Sequence, residues 1–298
     1  IAVAAIHDGA VDYLLKAGLR ALERSANVEA IGHLTKGLEL INTLPQSPER
    51  DAREVPFLHP LGTAYIASRG YTVPEVGPIF NRARELCERI GEPQTFAIRW
   101  GTWAFHVTRG DLRLCMELST DAMLLAEELN DPGILMEALF MPGLTLFMRA
   151  DFAGARACHV RALANYDDRA RTKFWAGRTG QDSGVTHRCF LALELWHLGY
   201  PDQALQVNKE MRDIARAIGH PFSLAYAVAM TGWLYQDCRL GAEAEAAGDE
   251  ELGMEQTFDY WHTSGLIFKA GGILLQGRVD DALALLPLMR ERVYRGIW

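Results

Sequence analysis

The chain has 298 residues, enough for a large core, and its 49% hydrophobic and 23% charged residues are typical of a soluble globular protein. The formal net charge of −8, with no Lys/Arg-rich run, argues against a duplex nucleic acid or an anionic membrane as partner. Five cysteines without a Cys-x-x-Cys pair favour a reducing cytoplasm. No apolar run reaches the about 20 residues that a membrane span requires.

Apolar periodicity, capping residues and glycine stops predict fourteen helices and no strand. The predicted helices span 4–24, 27–43, 49–69, 74–90, 93–109, 111–129, 132–148, 151–166, 183–198, 202–218, 221–238, 241–254, 258–276 and 279–294. First helices are expected to begin at Glu92-Pro93, Asp131-Pro132 and His220-Pro221. Proline is tolerated there because the N–H that it lacks would have no partner within the helix. The carboxylates expected to cap second helices are Asp111, Asp151, Asp202 and Asp280 or Asp281.

A repeated spacing indicates how these helices are paired. A turn residue is followed five positions later by a small residue, at Ser25 and Ala30, Gly110 and Cys115, Ala150 and Ala155, Gly199 and Ala204, Arg239 and Ala244, and Gly277 and Ala282. The small residues at 115, 155, 204, 244 and 282 are separated by 40, 49, 40 and 38 residues. A period near 40 with two helices per unit is typical of an α-solenoid. We therefore predict an all-α fold, a right-handed α-solenoid of six to seven tetratricopeptide-like helical hairpins.

Further small residues share this register. Gly18, Gly143, Ala192 and Gly232 lie twelve positions before the first set, and Gly37, Ala122 and Ala162 lie seven after it. Small side chains at these points let the helices of a hairpin approach closely. A single helical-repeat domain over 1–298 is expected, and the start at Ile1 without methionine suggests a piece of a longer protein.

The 49-residue interval contains a polar, glycine-punctuated stretch at 167–184, predicted to be a long inter-repeat loop. Such loops are usually functional or mobile, but this one could instead pack across the solenoid edge through Phe174 and Trp175. Its candidate functional residues are Arg178 and Asp182. The glycines of the loop lack the Lys-Ser/Thr and the preceding strand of a phosphate-binding loop.

The chain offers no convincing catalytic or metal-binding motif. Its nine histidines are scattered, and the adjacent Cys158 and His159 point about 100° apart on a helix, so we expect no metal site and no cofactor. Ser183, His187 and Asp182 supply the residue types of a hydrolase triad but lack the nucleophile elbow that such a triad needs.

The repeat register predicts instead a binding surface. In such hairpins the first helix of each unit lines the concave side, and aromatic side chains mixed with polar groups there suit peptide or small-molecule capture. That face is expected to carry Trp100, Phe140, Leu144, Phe147, Cys189, Trp196, His197, Tyr226, Trp233 and Gln236. Trp196 and Trp233 are predicted to be exposed, whereas core packing of the aromatic stripe is the competing interpretation.

Several segments resemble a known family. They are AVDYLLKAG at 10–18, ALERSAN at 21–27, ARELC at 83–87, GQD at 180–182, LGYPDQA at 198–204 and HPFSLA at 220–225. Together they resemble the tetratricopeptide-like region of bacterial predicted ATPases and adenylate/guanylate cyclases, similar in layout to the maltose-regulon activator class. The resemblance implies a cytoplasmic sensor or scaffold arm that binds a partner and regulates an ATPase or cyclase elsewhere in the parent polypeptide.

The leading hypothesis is therefore a non-catalytic regulatory domain that binds a protein, a peptide or a small-molecule effector. One alternative is an enzyme that transforms a small molecule and uses the 168–184 loop as a lid. The other is a structural arm that forms homo-oligomers through its terminal repeats.

Overall fold

The computed structural model describes residues 2–71, 73–164, 166, 182–254 and 259–294, and within these ranges the chain contains helices and turns but no strand. In chain order the helices are α1 (Ala2–Glu23), α2 (Asn27–Asn42), α3 (Pro48–Arg69), α4 (Val76–Ile90), α5 (Phe96–Val107), α6 (Leu112–Leu129), α7 (Pro132–Met148), α8 (Phe152–Leu163), α9 (Ser183–His197), α10 (Pro201–Ile218), α11 (Pro221–Asp237), α12 (Gly241–Leu252), α13 (Asp259–Leu275), α14 (Val279–Leu283) and α15 (Leu286–Tyr294). Each predicted helix has a counterpart, and the last one is divided into α14 and α15.

The predicted hairpin turns are confirmed by the backbone. All six turn residues adopt the left-handed conformation, with φ of 57° at Ser25, 75° at Gly110, 60° at Ala150, 87° at Gly199, 59° at Arg239 and 78° at Gly277. The small residue five positions later is buried in every case, between 0% and 3% exposed. At the five turns that lie within one unit, the left-handed residue turns the chain back, and the small residue lets the returning helix approach its partner.

Capping by side chains is confirmed at some helices and wrong at others. The Asp131 carboxylate accepts the N–H groups of Gly133 and Ile134, and Asp151 caps α8 in a similar way. Glu92-Pro93 does not open α5, because the Thr95 hydroxyl accepts the Ile98 N–H and starts the helix later.

Asp202 is also not a cap, since α10 begins at Pro201 without a side-chain cap. The N-cap of α14 is Arg278, which makes no side-chain cap either. The Asp281 carboxylate instead accepts a hydrogen bond from the Arg278 Nε–H. At both helices a residue earlier than the expected carboxylate occupies the cap position, so the carboxylate lies inside the first turn.

The chain divides into two compact units, one that runs to Asp111 and one that begins at Leu112. In the first unit, the hairpins α1–α2 and α3–α4 are followed by α5. Gly18 lies against Leu34 at the contact of α1 and α2, and a Cβ added to it would be 2.6 Å from the Leu34 Cγ. Leu34 is fully buried with Ala30, Ile41 and Phe57 in the apolar core of this unit.

In the second unit, α6 precedes the hairpins α7–α8, α9–α10 and α11–α12, and α13 pairs with the short helices α14 and α15. The first helices α7, α9 and α11 also pack beside one another or against the neighbouring hairpin. Among the described helices, none combines the length and the apolar character needed to cross a bilayer.

Candidate functional site

Five aromatic rings meet where α7, α9 and α11 end, and we call Phe147, Phe152, Trp196, His197 and Trp233 the aromatic cluster. The Phe147 ring lies 5.8 Å from that of His197 and 6.1 Å from that of Trp233. His197 stacks on Phe152 at 4.1 Å and meets the Trp196 ring edge-on at 4.8 Å. Because His197 is exposed and both tryptophans are half-buried, solvent reaches one side of the cluster.

An acidic side chain accompanies this cluster. Asp237 follows Trp233 by one helical turn, is half-buried, and accepts a hydrogen bond from the Trp233 ring N–H. Burial raises the pKa of the Asp237 carboxyl, while the charge of His197 and the bond from Trp233 oppose that rise. Its Oδ2 atom has no hydrogen-bond partner among the described residues. The cluster therefore combines partly open aromatic rings with a buried carboxylate oxygen behind them.

Two cavities adjoin each other next to Gln236 on α11. The apolar cavity has a volume of about 280 Å³ and is lined by Gln236, Ile267, Ala270, Gly271, Leu274, Ala282, Leu283, Leu286 and Met289. The polar cavity measures about 360 Å³ and is lined by Gln236, Arg239, Gly271, Leu274 and Leu275. The predicted site residue Gln236 thus lines both openings, which share the wall formed with Gly271 and Leu274.

Five of the predicted concave-face residues, with Cys189 at 2% exposed among them, are instead part of the core. Phe140, Phe147 and Tyr226 are 5%, 7% and 5% exposed, and Trp100, in the first unit, is 2% exposed. Phe147 still forms the inner wall of the aromatic cluster. Tyr226 packs edge-on against Trp261, with ring centroids 4.9 Å apart. The register placed these residues on first helices correctly, but a first helix also contacts neighbouring helices on its other sides.

Of the two loop candidates, Arg178 and Asp182, only Asp182 lies among the described residues. Arg178, with residues 167–181, lies outside the described residues. Asp182 is 1% exposed and caps α9 by accepting the Val185 N–H at 2.9 Å. It also accepts a hydrogen bond from the Tyr166 hydroxyl, and its own N–H donates to the Ser223 Oγ. Asp182 therefore joins α9 to α11 and does not lie on an open surface.

The residues of the hydrolase triad do not assemble. The Ser183 hydroxyl donates a short hydrogen bond to the buried Glu137 carboxylate. His187 bonds to the Met136 carbonyl at 3.0 Å and to His159, so it has no hydrogen bond left for Ser183. In the part of the chain that the structure describes, no group of three or more His, Cys, Asp or Glu side chains is arranged to hold a metal ion.

Sequence reasoning missed a buried polar chain at the contact of α7, α8 and α9. The Nδ1 atoms of His159 and His187 are 2.7 Å apart, and both rings are fully buried. Since the Met136 carbonyl takes the Nε2–H of His187, a neutral His187 accepts at Nδ1 from His159. The other side of His159 faces Glu194, with Nε2 and Oε1 3.1 Å apart.

Burial keeps all three groups uncharged. It lowers the pKa of His159 to about 3, lowers the pKa of His187 well below its usual range and raises the pKa of Glu194 to about 9. His159 and Glu194 are close but not aligned for a hydrogen bond, so neither Glu194 oxygen has a hydrogen-bond partner among the described residues. The spacing could have indicated that His159 is buried between helices, because it lies four residues after the small Ala155, as Leu34 does after Ala30.

Comparison with known proteins identifies the fold. No family profile and no curated protein sequence matches the chain. The crystal structure of the apo form of RapI is similar, with a TM-score of 0.64 and 12% identity over 95% of this chain and 97% of that one. A Rap protein complexed with competence and sporulation factor is similar at a TM-score of 0.66 and 12% identity, over 95% of this chain and 76% of that one.

At this level of identity the likeness concerns the fold alone. It confirms the predicted all-α fold of tetratricopeptide-like hairpins and supports the resemblance to helical-repeat proteins, without extending to ATPases or cyclases. The chain has an all-α fold of tetratricopeptide-like helical repeats.

Proposed function

We propose that this chain is a non-catalytic binding module that captures a peptide segment on the aromatic cluster. The observation that carries the proposal is the partly open packing of Trp196, His197 and Trp233. Large aromatic rings provide most of the affinity in many interfaces because they bury apolar area at a low cost in side-chain entropy.

The related Rap structure solved with competence and sporulation factor supports this proposal, because that protein binds a factor on the same fold. Small-molecule chemistry is less well supported. The groups with large pKa shifts, His159, His187 and Glu194, are fully buried, so a substrate cannot reach them.

The test uses a fluorescein-labelled pool of random dodecapeptides and anisotropy measurements. Replacing both Trp196 and Trp233 with alanine is expected to weaken binding at least about tenfold, since each ring is a candidate hot spot. Tyr13→Ala is the matched control, because Tyr13 is 67% exposed in the first unit. Circular dichroism checks that helix content is retained. Equal binding by the double variant and the wild type would show that the aromatic cluster is not the site.

We further propose, on the family resemblance, that the module is cytoplasmic and regulates a bacterial signalling ATPase or nucleotide cyclase. In that setting, peptide capture changes the nucleotide turnover of the parent polypeptide. Adding the dodecapeptide pool to the parent protein should alter its turnover, and the double tryptophan variant should abolish the response. Turnover that is unaffected in the wild type would refute this regulatory role.

A further inference from the structure

The two adjoining cavities beside Gln236 differ in chemistry. Eight of the nine residues around the apolar cavity are Ile, Leu, Ala, Met or Gly, and its volume of about 280 Å³ lies just below the usual size of a drug-sized ligand site, which begins near 300 Å³. That space suits a single apolar side chain. The neighbouring cavity, across the shared wall of Gln236, Gly271 and Leu274, is lined by the guanidinium-bearing Arg239.

Gln236 is held in place by one end of its side chain. Its Nε2 donates to the Ile267 and Phe268 carbonyls at 3.3 Å and 3.1 Å, and the amide lies over Gly271, where an added Cβ would be 1.9 Å from Nε2. These bonds fix the orientation of the amide and leave Oε1 without a hydrogen-bond partner among the described residues. The structure thus offers a fixed acceptor at the junction of the two cavities.

Arg239 differs from the neighbouring cations. Arg278 is paired with Glu245 and Asp281, and Lys269 is paired with Asp249 at 2.6 Å. The Arg239 side chain has no ion pair or hydrogen bond within the described ranges. This corner of the molecule therefore presents one uncompensated positive charge beside an apolar cavity.

We infer that the cavities beside Gln236 hold the C-terminal residue of an extended peptide, with its apolar side chain in the apolar cavity and its carboxylate on Arg239. Gln236 Oε1 accepts the backbone N–H of that residue. The inference rests on the proposed peptide-binding function and specifies how the peptide ends.

The adjacency of the two cavities favours a chain end over an internal acidic residue. In an extended peptide, successive side chains point to opposite sides, so an Asp or Glu next to a leucine faces away from it. Only at the last residue do an apolar side chain and a carboxylate share one Cα. An Arg–carboxylate contact also provides the charge-assisted hydrogen bonds that make such an anchor selective.

The test compares two fluorescein-labelled pools of five random residues followed by leucine, one ending in a free carboxylate and the other in an amide. The wild type is expected to bind the acid pool about tenfold more tightly than the amide pool. Arg239→Gln should abolish this preference, whereas Arg149→Gln, at an exposed arginine outside both cavities, should preserve it. Leu274→Gln should weaken binding of both pools, and Leu288→Gln, equally exposed but outside the cavities, should not.

Each contrary outcome is distinct. Equal binding of acid and amide pools overturns the C-terminal anchor while the proposed peptide-binding function survives. Decanoate binding as tightly as the acid pool, with the same dependence on Arg239, would identify an acyl-carboxylate site instead. A concentration-dependent dimer that Leu274→Gln abolishes would mean that a second copy covers the cavity. Failure of both pools and of the dodecapeptides to bind overturns this inference together with the proposed function.

Discussion

The hairpins α1–α2 and α7–α8 have the same spacing but different contents. In the first, Gly18 faces Leu34, which lies sixteen residues further on, inside an apolar core. In the second, Gly143 faces His159 at the same separation, and that ring joins His187 and Glu194. The repeat therefore conserves room for one side chain and leaves its chemistry free. A change of residue at this position converts a purely apolar contact into one that depends on protonation.

Exchanging the two residues gives the largest expected effects. Leu34→His buries an imidazole without partners and should lower the free energy of unfolding by about 3 kcal/mol. His159→Leu leaves the His187 Nδ1 without its donor and should cost about 2 kcal/mol. Urea unfolding at pH 7, followed by circular dichroism, measures both. Losses below about 0.5 kcal/mol for either variant would mean that the two positions are chemically interchangeable.

The paired glycines sharpen the comparison. A Cβ at Gly143 would lie 2.7 Å from the His159 Nε2, and that ring is fixed by its bond to His187. A Cβ at Gly18 would lie 2.6 Å from the Leu34 Cγ, but that side chain is held by apolar contacts alone and not by a hydrogen bond. We expect Gly143→Ala to cost about 2 kcal/mol and Gly18→Ala about 1 kcal/mol in urea unfolding. The reverse order would show that the histidine chain is the more deformable contact.

Of the two contacts compared, only the one around His159 should respond to protonation. Because the folded-state pKa of Glu194 is about 9, its stabilising contribution is complete below the usual carboxyl pKa and is lost as pH rises towards 9. The folded-state pKa of His159 is about 3, so its contribution is lost in the opposite direction, as pH falls from about 6.5 towards 3. The free energy of unfolding should therefore rise with pH on the acid side and fall with pH on the alkaline side.

Glu194→Gln should therefore flatten the alkaline side of the stability profile. Above pH 6.5 its stability relative to wild type should rise by up to about 1.4 kcal/mol per pH unit. Glu251→Gln is a useful control, because burial also raises the pKa of Glu251 to about 9, but on α12 and outside the chain of His159, His187 and Glu194. Glu251→Gln should flatten the alkaline side in the same way and leave the acid side, where His159 titrates, unchanged. Parallel profiles for wild type and Glu194→Gln would contradict the neutral state of the carboxyl.

The smallest effects are expected at the turns. Ala150 and Gly199 occupy the same turn position, with φ of 60° and 87°. A Cβ costs about 1 kcal/mol in this conformation, and nothing lies within 4 Å of the Gly199 position to add a clash. Ala150→Gly should therefore stabilise the protein by up to about 1 kcal/mol, and Gly199→Ala should destabilise it by a similar amount. Calorimetry should register opposite shifts in Tm, and shifts of the same sign would contradict the shared role.

The sequence predicted the hairpins well because their signals are local. A left-handed residue such as Gly199, followed five residues later by a small one such as Ala204, depends only on backbone sterics and close helix contact. The predicted caps were less reliable. A carboxylate such as Asp202 favours the cap position and Pro201 favours the first helical position, and the two preferences differ little in free energy.

The candidate site was only partly predictable. The register identified Trp196, Trp233 and Gln236, which reach solvent or a cavity, but it could not separate them from Trp100 or Phe140. Burial depends on which neighbouring helix covers each face. The pairing of His159 with His187 was hidden for the same reason, since it depends on which faces of α8 and α9 meet.

The most direct test of the binding account is hydrogen exchange with and without the dodecapeptide pool. The account predicts slower exchange at 196–200 and 233–240, where the aromatic cluster and Arg239 lie, and no change in the turn around Ser25. Protection confined to α1–α4, or none in these two segments while the peptides bind, would contradict it.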